Sequence, residues 1–481
     1  MNLGVLEKLE PKKVFEYFEA ICSIPHGSYH CKAISDYCVR FAKERGLFVI
    51  QDEHFNVIIK KEASPSCTQK SPLILQGHLD MVCQKEPDYE IDFEKDGLEL
   101  MVDGDNISAR GTTLGGDDGI AVAYCLAILD DDSIQHPPLE VVFTTEEEVG
   151  MEGAMGLDVS LLEGRHLINI DSEDDGILLS ACAGGTTVQV VLPLEYETKI
   201  ENLWEITISG LAGGHSGTEI DKKHGNAHKM MSEILAKVPG VTISHLWGAK
   251  EQKDNAIPYE CHCRICAENP DELENRIAMM EHSWTLEYEQ SEPDFLVEIK
   301  DLGIKEEAFL TKRSNDAVVT FLYEVKNGIY TMSQDIEGLV ESSLNLGVIS
   351  MDQDTLTCSF GVRSSASRYK EEIAEGIKVL AENVGGTYRR SNDYPAWEYR
   401  ENSVLRELFL KVYKEIYQKD MKVEAIHAGL ECGIFASKIK DIDIVAFGPN
   451  IFDIHTVNER MSIASVKQNW ELLLKIIEEF P

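Results

Sequence analysis

The sequence predicts an α/β protein with a mostly parallel mixed sheet, interrupted by an inserted α+β domain. Stretches with helical and with strand-like spacing of apolar residues alternate near both ends of the chain. From Gly184-Gly185 onward, the strands instead alternate apolar and polar residues, as half-exposed strands do. We therefore expect one α/β domain built from residues 1–186 and 396–481, with an α+β domain of residues 187–395 inserted between its two parts.

In the first part of the chain, helices are predicted by apolar residues three and four positions apart and strands by short apolar runs. The elements expected there are the helices 11–24, 32–45 and 119–129 and the strands 47–60, 73–79, 139–144 and 167–170. The stretch 119–129 is apolar on all sides after its first glycine, so we expect that helix to be completely buried.

The middle of the chain mixes strands and helices without strict alternation, and the α/β pattern returns after Asp393. In the middle we expect the strands 187–194, 204–209, 260–267 and 354–362 and the helices 227–238, 270–290, 315–327 and 370–384. In the last part we expect the helices 405–417 and 462–480 and the strands 423–426 and 442–447.

Composition excludes several classes of partner. A chain of 481 residues is too long for one ordinary core, and 43% hydrophobic with 27% charged residues is typical of a globular protein. The formal net charge of −39 would repel nucleic acid and anionic membranes, so we expect neither as a partner. The simple explanation of this charge is a solvated surface. The more specific explanation is an electrostatic field that draws cations into an acidic cleft.

The chain is expected to be cytoplasmic. Its first residues carry charges where a secretory signal needs an apolar segment, and its apolar runs are too short to span a membrane. The 12 cysteines have no framework spacing, which favours a reducing compartment. Cys261 and Cys263 flank His262, which could be a soft metal site, but in a strand the two thiols more simply share one buried face.

Acidic and histidine side chains recur where predicted strands end or turns begin. Burying unpaired charge costs several kcal/mol, so carboxylates clustered beside imidazoles indicate a cation between them. Histidine and carboxylate ligands without cysteine suit a divalent metal, zinc above all. The segments concerned are LILQGHLD (73–80), GGDDG (115–119), VVFTTEEEVG (141–150), LINIDSED (167–174) and FDIHTVNE (452–459).

Each segment also has a simpler structural interpretation. His78 and Asp80 point the same way along an extended chain, so Asp80 can fix the imidazole's tautomer, yet a single strand-end histidine is often only hydrogen-bonded. Asp117 and Asp118 stand where a glycine turn enters a helix, so one of them could be a helix cap. A carboxylate there could equally bridge two metal ions.

The remaining segments are informative mainly in combination. Three consecutive glutamates after a buried strand would repel one another and raise one another's pKa. This repulsion would be relieved if one glutamate were a metal ligand and its neighbour a general base. The plain alternative is a solvated acidic turn. Asp171 at a strand end and His455 in a loop are weak signals when each is taken alone.

Together these motifs resemble the co-catalytic zinc exopeptidase family of aminoacylases, carboxypeptidases and dipeptidases. More closely, they resemble its aminoacyl-histidine dipeptidase branch, the peptidase D type of cytosolic non-specific dipeptidase. The motifs that carry the resemblance cover nearly the whole chain in family order: GHLDMVCQK, RGTTLGGDDGIA, TTEEEVGMEGA, LINIDSED, SGLAGGHSG, VRSS, HAGLECGIF and IHTVNER.

The resemblance implies a role for each of these positions. His78 and Asp171 would ligate one zinc, Glu148 and His455 the other, and Asp117 would bridge both. Asp80 would orient His78, and Glu147 would be the general base. Counting back from Gly150 in the family pattern Glu-Glu-x-Gly selects Glu147 and Glu148 rather than Glu146, and Asp118 is interpreted as supporting without ligating.

The resemblance also implies that residues 1–186 and 396–481 form a zinc-exopeptidase-like catalytic domain and that residues 187–395 form a lid. In the lid, His215 would polarise the scissile carbonyl. Asn255 and Arg363 would help to bind the substrate carboxylate. Glu431, in the last part of the chain, would line the substrate cleft.

The implied activity is metal-dependent hydrolysis of unblocked dipeptides, Xaa-His among them, by a di-zinc-activated water with Glu147 as base. Manganese or cobalt could replace zinc, and a homodimer is one assembly that the sequence leaves open. The alternatives are a deacylase of N-acyl amino acids or an exopeptidase on longer peptides, because the same metal core serves all three. A non-catalytic binding protein is disfavoured, because no implied ligand and no general base is missing.

Overall fold

The computed structural model describes residues 4–334, 336 and 338–481. Its α-helices in chain order are α1 Lys12–Cys22, α2 Lys32–Glu44, α3 Gly116–Leu129, α4 Glu152–Gly156, α5 Ala227–Lys237, α6 Pro270–Glu287, α7 Lys312–Glu324, α8 Ser367–Asn383, α9 Val404–Tyr417, α10 Glu431–Lys438 and α11 Ile463–Glu479. None of the helices in these described ranges is long and apolar enough to cross a bilayer.

The described strands belong to three sheets. In chain order they are β1 Phe48–Gln51, β2 Val57–Lys61, β3 Leu73–His78, β4 Leu100–Asp103, β5 Asn106–Ala109, β6 Leu139–Thr144, β7 His166–Asn169, β8 Ile177–Cys182, β9 Gly184–Pro193, β10 Tyr196–Ser209, β11 Val241–Gly248, β12 Cys261–Ala267, β13 Leu296–Leu310, β14 Gly328–Met332, β15 Val340–Met351, β16 Thr355–Ser364, β17 Thr387–Tyr394, β18 Lys422–Ile426, β19 Asp443–Ala446, β20 Ile451–Phe452 and β21 Arg460–Ser462.

The chain forms two compact units. The first consists of Met1–Cys182, Tyr399–Ala425 and Leu430–Pro481, and the second of Ala183–Glu398 and Ile426–Gly429. Both ends of the chain therefore contribute to the first unit.

The first unit is built on a mixed sheet with the strand order β1-β2-β6-β3-β7-β19-β8-β18. Its central strands β6, β3, β7 and β19 are parallel, and the pairs toward the edges, β1–β2, β2–β6 and β19–β8, are antiparallel. A smaller sheet of order β20-β21-β5-β4 belongs to the same unit. The mixed α/β class expected from the sequence is confirmed.

Helix α3 lies at the centre of the first unit's core. Every residue of Gly116–Leu129 is buried, as the apolar sequence predicts. Asp117 and Asp118 have non-helical φ/ψ angles, so regular helix starts at Gly119, which is the predicted start. The Tyr124 hydroxyl donates a 2.7 Å hydrogen bond to the Val466 carbonyl in α11, which ties the first part of the chain to the last.

The second unit has an antiparallel sheet of order β13-β10-β12-β11-β15-β16-β9-β17, with β14 paired to β15. Its core contains both Cys261 and Cys263, which are fully buried on one face of β12 as expected. His262, between them, stacks on Trp247 with ring centroids 5.0 Å apart.

Several element boundaries differ from those expected. The stretch 47–60 is a hairpin of β1 and β2, because Phe55 has a positive φ of 65° in the intervening turn. The helices expected at 270–290 and 315–327 are α6, which ends at Glu287, and α7, which starts at Lys312. The long strand β13 between them was not predicted. Most of its side chains are at least partly exposed, so its sequence carries no alternating apolar signal.

We expect Tyr124→Phe to lower the free energy of unfolding by about 1 kcal/mol, because a buried hydrogen bond to Val466 is lost without any change in shape. Urea denaturation measures this loss. Tyr417→Phe is a matched control, since that half-buried hydroxyl donates to the Gln468 carbonyl at 2.7 Å and should contribute less. Equal stability of Tyr124→Phe and the unmodified chain would contradict the expectation.

Candidate metal centre and active site

The parallel strands of the first unit bring three predicted segments to one edge of the sheet. In β3 and β6, His78 pairs with Thr144, and in β3 and β7, Gln76 pairs with Asn169. Parallel strands in register end at the same edge, which is where α/β proteins bind ligands. The residues that follow these strand ends, and so meet at this edge, are Asp80, Glu147, Glu148 and Asp171.

The two remaining segments reach the same place through irregular backbone. Gly115 adopts a left-handed conformation with φ 66°, and Asp117 follows it before regular helix begins. His455 also has a positive φ of 62° and stands in the loop between β20 and β21. Neither Asp117 nor His455 is therefore placed by a regular element.

Asp117 contacts both histidines through different oxygens. Its Oδ1 lies 3.1 Å from Nε2 of His78, and its Oδ2 lies 3.2 Å from Nε2 of His455. Nε2 of His455 is also 3.0 Å from Oε1 of Glu148. Nε2 of His78 is 3.7 Å from Oδ1 of Asp171. A single carboxylate thus stands between two histidine–carboxylate pairs.

The side chains at this edge form overlapping groups that could hold metal ions. Within each group the potential ligand atoms lie within 4.8 Å of one another. The groups are His78, Asp118 and Asp171; His78, Glu147 and Glu148; and Asp117, Glu148 and His455. Imidazole nitrogens and carboxylate oxygens are the ligands that zinc accepts in catalytic sites, so the donor set fits the expected metal.

Hydrogen bonding fixes which nitrogen of His78 faces this group. Nδ1 of His78 lies 2.9 Å from the backbone carbonyl of Asp80 and therefore donates to it, which leaves Nε2 facing Asp117 and Asp171. The Asp80 carboxylate is farther from the ring, at 3.6 Å. It accepts instead from the Ser28 hydroxyl at 2.8 Å and from the Glu147 and Glu148 amides at 3.0 and 3.3 Å. Asp80 thus orients His78 through its carbonyl and holds the glutamate turn through its carboxylate.

The glutamates in TTEEEVG have different environments. The Glu146 carboxylate accepts the Tyr29 amide at 2.6 Å, and Glu146 has a positive φ of 57°. Glu147 and Glu148 belong to the groups of potential ligands, whereas Glu146 does not. The roles of Glu147 as base and Glu148 as ligand stay predictions.

The electrostatics show an excess of buried negative charge. Burial raises the pKa of Glu148 and Asp171, and raises that of Glu147 well above its ordinary value. Contacts with His78 and His455 act in the opposite direction but do not outweigh burial. Burial alone would raise the pKa of Asp117, but hydrogen bonds from His455 and His78 lower it. Divalent cations would relieve this repulsion.

The histidines show the opposite effect. Hydrogen bonds to Asp117 and Glu148 raise the pKa of His455 to about 11. Burial opposes protonation of His78, but its hydrogen bonds to Asp117 and Asp171 raise its pKa well above the ordinary value. Each imidazole is held by carboxylates at the nitrogen that a metal would use.

Two further predicted residues of the first unit are Asp118, which belongs to one of these groups, and Glu431. The Asp118 carboxylate accepts the His78 amide at 3.1 Å, and burial raises its pKa well above the ordinary value. Glu431 is fully buried, and its Oε2 accepts from Gln76 and Thr144, both at 2.6 Å. Its Oε1 has no partner within the described residues, and burial raises its pKa to about 8.

In the second unit, His215 and Arg363 are neighbours. Nη2 of Arg363 lies 3.5 Å from Nε2 of His215, and Nη1 donates to the Tyr394 hydroxyl at 2.9 Å. Burial, and then the charge of Arg363, lower the pKa of His215. Arg363 and the exposed Asn255 line a polar cavity of about 140 Å³.

Sequence reasoning missed several residues of these sites. Glu173 has a pKa raised to about 8 by burial and by Asp117, and Glu459 binds backbone amides beside Asp117. In the second unit, His427 accepts from or donates to the Ser343 hydroxyl at 2.7 Å, and burial lowers its pKa to about 3. All three lie in segments already singled out, next to the residues that were chosen, and only tertiary contacts distinguish them.

The sequence profile of peptidase family M20/M25/M40 matches residues 74–479. The chain belongs to this family. It is therefore a peptide hydrolase, as the resemblance implied.

Relatives of this M20 peptidase match over its full length. The cytosol non-specific dipeptidase of Escherichia coli is 35% identical, and the alignment covers 100% of both chains. The crystal structure of aminoacylhistidine dipeptidase from Vibrio alginolyticus superposes with a TM-score of 0.92 at 33% identity, covering 99% of this chain and 98% of that one. Aminopeptidase PepT from Bacillus cereus, at 15% identity and a TM-score of 0.58 over 98% and 99% of the chains, shares the fold.

Proposed function

We propose that this chain is a di-zinc dipeptidase that hydrolyses unblocked dipeptides, with Xaa-His among its substrates. One observation carries the proposal: the two oxygens of Asp117 lie within 3.1 and 3.2 Å of two histidines that belong to different ligand groups. A carboxylate placed in this way suits a bridge between two metal ions. The relatives named as a dipeptidase and an aminoacylhistidine dipeptidase support the substrate class.

His78 and Asp171 would hold one zinc ion, and Glu148 and His455 would hold the other, with Asp117 shared. The metal pair would polarise the scissile carbonyl and acidify a water molecule, and manganese or cobalt could serve in place of zinc. The contacts of Nε2 of His78 and of His455 described above support this division.

Glu147 is the proposed general base. It accepts the proton of the attacking water and returns it to the leaving amine. Burial raises the pKa of Glu147 well above its ordinary value, so its carboxylate holds a proton more strongly than a solvent-exposed glutamate does. The hydrogen bond from its amide to Asp80 holds its backbone in place.

The second unit would supply carbonyl and carboxylate recognition. Nδ1 of His215 accepts the Thr218 amide at 3.2 Å, which orients the ring, and His215 would polarise the scissile carbonyl. Arg363 and Asn255 line one polar cavity, which supports their assignment to the substrate carboxylate. For Glu431, whose carboxylate is fully buried, we retain the substrate-binding role as a proposal.

We further propose that residues 1–186 and 396–481 act as the catalytic domain and residues 187–395 as a lid. A cytoplasmic location agrees with the cytosol dipeptidase relative. A homodimer is one assembly that is compatible with the sequence.

The metal-free chain should bind two zinc ions, and Asp117→Asn should reduce both, because one carboxylate serves both positions. Metal content after dialysis, measured by plasma mass spectrometry, gives the count. Asp118→Asn is the matched neighbour and should retain both ions. The bridging assignment would be wrong if Asp118→Asn lost the metal and Asp117→Asn kept it.

Glu147→Gln should keep the fold and the metal but lose about 10²- to 10⁴-fold in kcat, because only the proton acceptor is removed. Steady-state kinetics with Gly-His measures the loss. Glu146→Gln is the control and should change kcat little, since that carboxylate binds the Tyr29 amide. An inactive Glu146→Gln beside an active Glu147→Gln would shift the base by one residue.

Free dipeptides should be cleaved and N-acylated amino acids rejected, because an acyl cap removes the ammonium group and leaves polar groups of the site unpaired. The values of kcat/KM for Gly-His, β-Ala-His, Ala-Ala and N-acetyl-methionine test this. Faster hydrolysis of N-acetyl-methionine than of every dipeptide would establish a deacylase instead, and preference for tripeptides would indicate an exopeptidase on longer peptides.

A further inference from the structure

Glu459 binds the turn that precedes Asp117. Its Oε2 accepts the amides of Leu114 and Gly115 at 2.8 and 3.2 Å, and its Oε1 accepts the amide of Gly116 at 2.8 Å. The residue is only 3% exposed, so these backbone bonds take the place of water around the carboxylate. Consecutive amides that converge on one anion fix the conformation of the peptide segment that carries them.

The turn has an irregular backbone. Gly115 is left-handed, and Asp117, the second residue after it, lies outside regular helix. Such backbone persists only where its surroundings determine it. A Cβ atom added at Gly116 would lie 3.3 Å from Oε1 of Glu459, so turn and carboxylate are in close contact.

Glu459 also belongs to the loop that carries His455. Its amide donates to the Thr456 carbonyl at 3.1 Å, which closes the loop just after His455. Strand β21 begins at the next residue and pairs with β5 and β20. One side chain therefore joins the Asp117 turn to the His455 loop, two ligand segments that lie outside regular secondary structure.

We propose that Glu459 is a positioning residue that keeps Asp117 and His455 at the separation needed to bind the second metal ion. The inference rests on the proposed metal pair. Glu459 itself is not a member of the group formed by Asp117, Glu148 and His455. It acts through the backbone of the turn and the loop.

The test is the zinc affinity of full-length Glu459→Ala, measured on metal-free protein by competition with a chromophoric chelator. Partners that orient metal ligands typically change affinity by about 10- to 100-fold when removed, so we expect a loss of that size for the more weakly bound ion. Glu459→Gln keeps one carbonyl oxygen for the turn and should lose less. It also keeps the test usable if Glu459→Ala does not fold.

Glu140→Ala is the matched control. Glu140 is also 3% exposed and accepts the amides of Glu163 and Gly164 at 2.8 to 3.1 Å, but it lies near the opposite end of β6. We expect Glu140→Ala to lower the Tm of the metal-free chain as Glu459→Ala does, while its zinc affinity stays within about threefold of the original.

The outcomes separate this inference from the proposed function. If Asp117→Asn weakens zinc binding and Glu459→Ala and Glu459→Gln do not, the positioning role is overturned and the metal pair stands. If Glu140→Ala weakens zinc binding as much as Glu459→Ala, the effect is general destabilisation, and the inference is again overturned. If Asp117→Asn leaves zinc binding unchanged, the metal assignment fails and the inference fails with it.

Discussion

Carboxylates that face one another at one buried edge of a sheet constrain the rest of the first unit. Like charges repel, so folding must hold these groups together against their repulsion. Asp117, Glu148 and Asp171 meet there around His78 and His455. Burial alone would keep such groups protonated, and protonated carboxyls make poor metal ligands. The imidazoles stabilise part of the charge, and the remainder is what divalent cations would neutralise.

The acidic residues near this edge fall into two kinds that differ in their partners. Asp80 accepts from backbone amides and the Ser28 hydroxyl, and Glu459 accepts from backbone amides, so each carboxyl group holds backbone segments together. Asp117 and Asp171 instead find their partners among the other ionisable side chains, and they have few amides to hold them. The first kind fixes the backbone, and the second kind remains free to bind an ion. This division explains how a cluster of charge can be both rigid and reactive.

The sequence predicted the sheet class, the buried helix α3 and the segments that meet at the candidate metal centre, because each has a local signal. Alternating or continuous apolar runs predict strands, and charged residues at the ends of those strands predict a ligand-binding edge of the sheet. The strand β13 escaped prediction because its mostly exposed residues follow no period. Glu459 and Glu173 were not predicted, because a glutamate in an acidic loop is expected to be solvated. Only contacts with distant segments bury these two residues. The roles given to individual ligands and to Glu147 stay predictions, since they depend on bound metal and substrate.

Close packing of α3 on β3 links the core to the chemistry. Gly77 immediately precedes His78, and a Cβ atom there would lie 2.5 Å from Oδ2 of Asp118 and 2.6 Å from Cβ of Ala121. The absence of a side chain lets the first turn of α3 approach the end of β3, and the Asp118 carboxylate can then accept the His78 amide. The same approach brings the neighbouring Asp117 within 3.1 Å of the His78 ring. Gly77, which has no side chain, therefore sets the distance between the proposed ligands His78 and Asp117. The site thus depends on the packing of the core as much as on its charged side chains.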